Sequence, residues 1–270
     1  MQNVPALKPP ASNEPSSLEA QTSEIFAQFL ELEKSEEFVR FFFEIVFNAK
    51  SSRSMLCVLH QERNPSASVF KSAVSGRYLY KDFHNYKTYS LLDLLIEYFN
   101  VPQHLQKLLR LNFARYLLNI ASLKPSLKQE IRKLYSLLRA QDNNLAKAYF
   151  IIASLNMNGL NEHFISVRDI AKMLQLKNIA YANRLLNFLC LMDLIDKKGL
   201  GNFGKANAYE LKAINLEKLA IELEKIKQID IHKLNKNLAL SIFDREKVES
   251  IYRRTSDNIQ QKLRKSFTKV

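Results

Sequence analysis

Glycine is scarce in this chain, five in 270 residues against the usual ~7%. Dinucleotide-binding turns and phosphate-cradling loops need glycines after a strand and at the opening of a helix, and the second kind needs Gly-Lys-Ser/Thr. Neither pattern is present, and so few glycines argue for a mostly helical chain. Three of the five, Gly199, Gly201 and Gly204, are clustered. Cysteine is scarcer still: Cys57 and Cys190 stand far apart, which excludes a disulfide-stapled secreted scaffold and points to a reducing cytoplasm. No apolar run is long enough to cross a membrane, and the first thirty residues contain no apolar signal segment. The expectation is a soluble cytoplasmic protein. The five histidines (His60, His84, His104, His163, His232) are scattered, so no Ser/His/Asp or Cys/His catalytic set can be argued.

What the chain has in excess is positive charge. Forty Lys+Arg against twenty-seven Asp+Glu give +13 and a pI near 9.6. Such a balance favours a polyanionic partner, nucleic acid above all. A membrane surface fits less well, because the basic residues are not gathered on one amphipathic helix.

The pattern along the chain predicts an α+β, helix-rich protein: a small antiparallel sheet among helices, then a winged-helix domain. Residues 1–22 carry four of the seven prolines and read as a disordered leader. Residues 23–142 form a helical unit. Ser23 caps its first helix and Ser35 its second, on which Phe38, Phe41, Phe42, Ile45 and Val46 make an inward stripe. Within that unit, 54–99 switches to β-favouring pieces at Met55–Leu59, Ala67–Phe70 and Tyr78–Phe83, separated by turn residues. Ser90 caps the helix that follows.

Residues 143–215 read as helix, short strand, helix, four-residue turn, helix and glycine-bearing hairpin, the order of a winged helix-turn-helix. In that arrangement the helix Ile179–Met192 enters a major groove. Its inward set is Ile179, Ala182, Leu185, Leu186, Leu189 and Met192. Asn178, Tyr181, Asn183, Arg184 and Asn187 remain for the outer face, where Asn and Arg suit base edges and Lys177 a phosphate. Lys197, Lys198 and Lys205 on the hairpin would reach the backbone. Residues 216–270 read as a basic helical tail.

The middle segment carries a resemblance. Cys57-Val58-Leu59-His60, then Arg63-Asn64-Pro65-Ser66, Tyr80-Lys81-Asp82-Phe83 and Leu91-Leu92-Asp93-Leu94-Leu95 are similar to the CHC-type zinc-binding domain of bacterial and phage DNA primases. The resemblance covers about forty residues. It implies a zinc-ribbon-like form for the small sheet, a replication-linked module that contacts a template strand or a partner primase or helicase, and a zinc site beginning with Cys57 and His60. The second cysteine pair of that family is missing, with Tyr80 and Phe83 at its place. His84 is the candidate third ligand and Asp82 a conceivable fourth. The expected form is a degenerate finger with an aromatic core that needs no cofactor, zinc being the ion that Cys57, His60 and His84 would take. Basic residues (Arg63, Lys71, Arg77, Lys81, Lys87) interleave with aromatics (Phe70, Tyr78, Tyr80, Tyr86, Tyr89) here, as single-stranded nucleic acid requires, although alternate aromatics also serve a buried sheet face. The chain contains no Asp-x-Asp of the kind that holds two catalytic metals in primases.

The resulting expectation is a non-catalytic DNA-binding protein, acting on single strands, duplex or both, in replication or maintenance of a mobile element. A winged-helix transcriptional regulator and a protein-binding adaptor are the alternatives.

Overall fold

A computed structural model describes residues 17–156, 165–200, 207–227 and 229–252. The fold is helix-rich α+β with two small antiparallel sheets. Among the described residues, no helix is long and apolar enough to cross a membrane.

The chain begins with α1 (Ser17–Leu32) and α2 (Glu36–Phe47). The expected leader is therefore helical over its last six residues, and Ser23 lies within a helix rather than at its cap. Ser35 does cap α2, its hydroxyl accepting the Phe38 N–H at 3.2 Å, an arrangement worth about 1 kcal/mol. The α2 stripe is buried as its spacing requires, and Val39 and Phe43 are buried with it. Phe43 approaches Tyr80 of the sheet, with ring centroids 6.0 Å apart.

The first sheet runs β1 (Ala67–Lys71), β2 (Tyr78–Asp82) and β3 (Lys87–Tyr89), antiparallel in that order. Gly76, at φ +67°, closes the β1–β2 hairpin. The expected strand over 55–59 is absent. Met55 alone bridges to Ala67, because 56–61 turns to bring Cys57 and His60 together. Buried Glu33, 1% exposed, fastens the hairpin to the helices. Its carboxylate accepts the Leu91 N–H at 2.9 Å and Arg77 at 3.1 Å, and its carbonyl accepts the Tyr78 N–H. Burial raises the Glu33 pKa, against the lowering by Leu91 and Arg77.

Next come α3 (Leu91–Tyr98), capped by Ser90 as expected, α4 (Gln103–Ser122), α5 (Pro125–Gln141) and α6 (Asn143–Leu155). Nearly every side chain of α6 from Leu145 onward is buried. Its Phe150 stacks on Phe99 at 5.5 Å and 15°, with Phe113 at 5.6 Å. Thus α6 packs on α4 and α5 on one side and on α8 on the other, and one continuous core crosses position 143.

Beyond it lie α7 (Val167–Met173), capped by Ser166, α8 (Ile179–Leu191), and the paired strands β4 (Ile195–Leu200) and β5 (Asn207–Leu211). Ile165 bridges Asn207 beside them. The end of the described chain comprises α9 (Leu216–Lys225), a 3-10 turn at Ile231–Lys233, α10 (Lys236–Leu240) and helix over 245–252. Leu219, Leu223, Ile231, Leu234, Ala239 and Val248 bury against the core, so this stretch is packed structure as well as basic sequence. Residues 1–16 of the leader, Gly201, Gly204 and Lys205 of the hairpin, and 253–270 of the tail lie outside the described residues.

Candidate functional site

The side chains gathered most tightly for chemistry are Cys57, His60 and Asp82, whose donor atoms all lie within 4.8 Å of one another. Cys57 Sγ stands 3.3 Å from His60 Nδ1, and that nitrogen 3.6 Å from Asp82 Oδ2. Donors held 2.0–2.3 Å from one tetrahedral ion stand roughly 3.3–3.8 Å apart, so these two separations are those a shared metal ion requires.

Two elements build the group. The 57–60 turn supplies the thiol and the imidazole, and the end of β2 supplies the carboxylate. Tyr80 and Asp82, two apart on β2, share its inward face and are both buried. The Tyr80 hydroxyl donates to Cys57 Sγ at 3.0 Å and accepts the Val58 N–H, locking the turn onto the sheet. Burial, then the bond to Cys57, pushes the Tyr80 pKa well up, so it remains a donor. Asp82 is fully buried and also accepts the His84 N–H at 2.9 Å and the Asn85 amide at 3.1 Å.

His84 stands beside this group but outside the set of donors that lie within 4.8 Å of one another. Strand alternation ends at Asp82, and the chain then turns outward through Phe83 and His84. The His84 side chain is 65% exposed and faces Glu62 at 4.0 Å, its ring centroid 5.1 Å from that of His60. Asp82, offered by the sequence as a conceivable fourth ligand, stands within the group. The phase of the β2 alternation, counted from Tyr80, is the signal that would have found it.

The same alternation divides the interleaved aromatics and cations. Val69, Tyr80 and Tyr89 pair across the three strands and are buried. The opposite phase carries Phe70, Leu79 and Lys81, half-buried. Phe83 is 44% exposed, with Lys81 Nζ 5.3 Å from its ring centroid. Tyr86, at the β2–β3 turn, is 83% exposed and holds φ +55°, a left-handed conformation that costs a bulky residue about 1–3 kcal/mol. Lys87 and Arg63 are exposed. Arg77 is committed to the buried Glu33 carboxylate, which makes it a structural cation rather than one presented to a ligand.

On α8 the expected outer face is partly covered. Lys177 and Asn178 are exposed, and Asn178 serves as N-cap by accepting the Ala180 N–H at 2.8 Å. Asn183 and Arg184 are half-buried. Tyr181 and Asn187, expected to point outward, are buried, whereas Ile179, expected inward, is 46% exposed. The reason is the C-terminal stretch. The His232 ring stacks on Tyr181 at 3.8 Å and 18°, the Tyr181 hydroxyl donates to Asp142, and Tyr252 stands beside Asn187 and Arg184. Helical periodicity locates an apolar face but not a cover arriving from distant sequence. Lys197 is half-buried and engaged. The side chain of Lys198 and all of Lys205 lie outside the described residues.

The chain matches no protein-family model, no curated protein and no solved structure.

Proposed function

We propose that this chain is a non-catalytic nucleic-acid-binding protein that holds single-stranded DNA on its three-stranded sheet. The observation that carries the reading is the exposed aromatic pair at the β2–β3 end of that sheet, Phe83 and Tyr86, with Lys81 Nζ 5.3 Å from the Phe83 ring and exposed Lys87 opening β3. Exposed rings accept stacked bases, and cations between them follow the phosphates. Tyr86 is held open in a backbone conformation unfavourable to an aromatic, the kind of local cost that accompanies a functional position. The charge of +13 supports the same partner.

One metal ion belongs to this reading. Cys57, His60 and Asp82 would bind zinc through three protein donors, tying the 57–60 turn to β2 beneath the platform and leaving a fourth position for water. Zinc would supply cross-linking of the turn to the sheet. Tyr80 and Asn85 orient the thiolate and the carboxylate for it. The resemblance to primase fingers supports a setting in replication or mobile-element maintenance, in the cytoplasm, beside a primase or helicase.

The order of α7, α8 and the β4–β5 pair supports a winged-helix reading for 143–215. Cover over Tyr181 and Asn187 argues against α8 as a duplex-reading helix, and so against the regulator. The adaptor remains the competing reading if no DNA binds.

The test is fluorescence anisotropy with single-stranded and duplex DNA of equal length, across a salt series. The expected result is a single-strand preference with a steep fall of affinity with salt. Tyr86→Gly should weaken single-strand binding about fivefold or more, the loss of one stacked base being worth about 1–3 kcal/mol, with the fold's melting temperature unchanged or raised. Arg184→Ala should leave single-strand binding unaltered. Duplex preference abolished by Arg184→Ala would instead establish the regulator.

A further inference from the structure

At the end of the β1–β2 ladder opposite Phe83, a cleft of about 260 Å³ opens between the 51–53 loop, the last residues of β1 and the first turn of α2. The loop is fixed there by backbone geometry, since the Val69 N–H donates to Ser52 O at 2.8 Å. Arg53 from the loop and Lys71 from β1 line the cleft from two sides, and both are exposed. Lys71 Nζ lies 5.7 Å from the Tyr78 ring centroid, which steadies the ammonium at the rim. Ser51 adds a hydroxyl. The one carboxylate in the lining, Glu36, is turned to partners of its own: Arg40 pairs with it at 2.9 Å, and the Tyr78 hydroxyl donates to it at 3.2 Å.

We infer that this cleft is a phosphate-binding subsite, in which Arg53 and Lys71 converge on one phosphate group and Ser51 donates a hydrogen bond to it. A guanidinium offers a two-pronged donor to phosphate oxygens and an ammonium a point charge. These two arrive from different elements, and the Glu36 carboxylate that shares the lining is paired with Arg40. The inference deepens the single-strand reading and rests on it for the identity of the ligand. β2 rises about 3.4 Å per residue, so the cleft lies roughly 17 Å from Phe83. Val69, Lys71 and Tyr78 share the phase of Tyr80, so the cleft opens on the α2 side at the free edge of β1, and a strand stacked on Phe83 and Tyr86 reaches it by passing around that edge. The shared chemistry is a phosphate group, whether within a strand or on a free nucleotide.

The experiment uses the full chain and the variant Arg53→Gln/Lys71→Gln, with Lys124→Gln on the α4–α5 connection as control. Each neutralised phosphate contributes about 0.7 to the slope of log affinity against log salt for single strands. The double variant should lower that slope by about 0.7 and weaken binding about three- to tenfold, equally on oligo-dT and oligo-dA, while the control does neither. An unchanged slope and affinity would overturn the inference. Should the wild-type chain bind no single strand, the functional reading fails separately. Amide shifts at Ser51, Ser52 and Lys71 on adding adenosine monophosphate then decide the cleft. Shifts lost in the double variant sustain a subsite for free phosphate groups, and absence of shifts refutes it.

Discussion

At Cys57, His60 and Asp82 the chemistry depends on distances that differ by tenths of an ångström. A thiol and an imidazole 3.3 Å apart, beside a fully buried carboxylate, form a set already spaced for an ion. Burying that carboxylate with few partners would be costly. Asp82 is satisfied by the His84 N–H and the Asn85 amide and, when zinc is bound, by the metal. Purified protein is therefore expected to carry about one equivalent of zinc by atomic emission. Cys57→Ser should lose it, and His84→Ala should retain it. Zinc lost equally in both variants would reinstate His84 as a ligand, and protein without zinc that stays folded would leave the group as a hydrogen-bonded core. Cys57 and His60 were legible from their spacing and from a family resemblance. Asp82 was legible only as a conceivable fourth ligand behind His84, because ranking the two needs the register of β2, which depends on Tyr80 being packed beneath Phe43 and against the Cys57 turn.

Among elements, the clearest regularity concerns how a glycine-poor chain ends its helices. Asn100, Gln175 and Asp193 each adopt φ between 43° and 56° just past α3, α7 and α8. In each case the next residue, Val101, Leu176 or Leu194, donates its N–H back to the carbonyl five positions earlier, at 2.8–3.0 Å. This is the left-handed helix stop that usually employs glycine, made here with polar residues. A reading that looks for glycine at helix ends places these stops by the apolar pattern alone, and so extends α8 by one residue, to Met192. Asp193 does more than stop α8. Its carboxylate receives Lys212 at 3.1 Å and Lys247 at 2.5 Å, pinning β5's exit and the helix over 245–252 to the α8 corner. Burial raises its pKa, but the two lysines outweigh that effect and hold it below the ordinary 3.8. A carboxyl with a depressed folded-state pKa stabilises above its unfolded value, and this contribution is lost as pH falls through the folded value. With the side chain 39% exposed, solvent screens the pair and keeps the effect small. Hydrogen-exchange protection of 245–252 should therefore weaken between about pH 5 and about pH 3. Asp193→Asn should show the weaker protection at neutral pH already and lack the acid step. Equal protection in both proteins at neutral pH would mean that apolar burial, through Val248, holds the helix by itself.

At the scale of the whole molecule, the sequence suggested a seam near residue 143, because Asp142 and Asn143 start a helix after a long basic one and a new element order begins there. The order was read closely enough, yet the seam is bridged. Helix α6 carries one charge, Lys147, and is otherwise the most buried of the described helices, with Phe150 in the aromatic cluster of Phe99 and Phe113 and further residues facing α8. Nearly continuous apolarity cannot reveal in advance that a helix serves two sides at once, since periodicity marks a face only where the other face is polar. The mechanical consequence is that the sheet platform and the β4–β5 pair share a core. Phe150→Ala should destabilise the protein by about 3–5 kcal/mol, as a large buried aromatic does when truncated. Its melting temperature should fall by the same amount whether followed by amide signals from β1–β3 or from β4–β5. If the β4–β5 signals melt in a separate transition that the substitution leaves in place, the two halves fold independently, and α6 belongs to one of them alone.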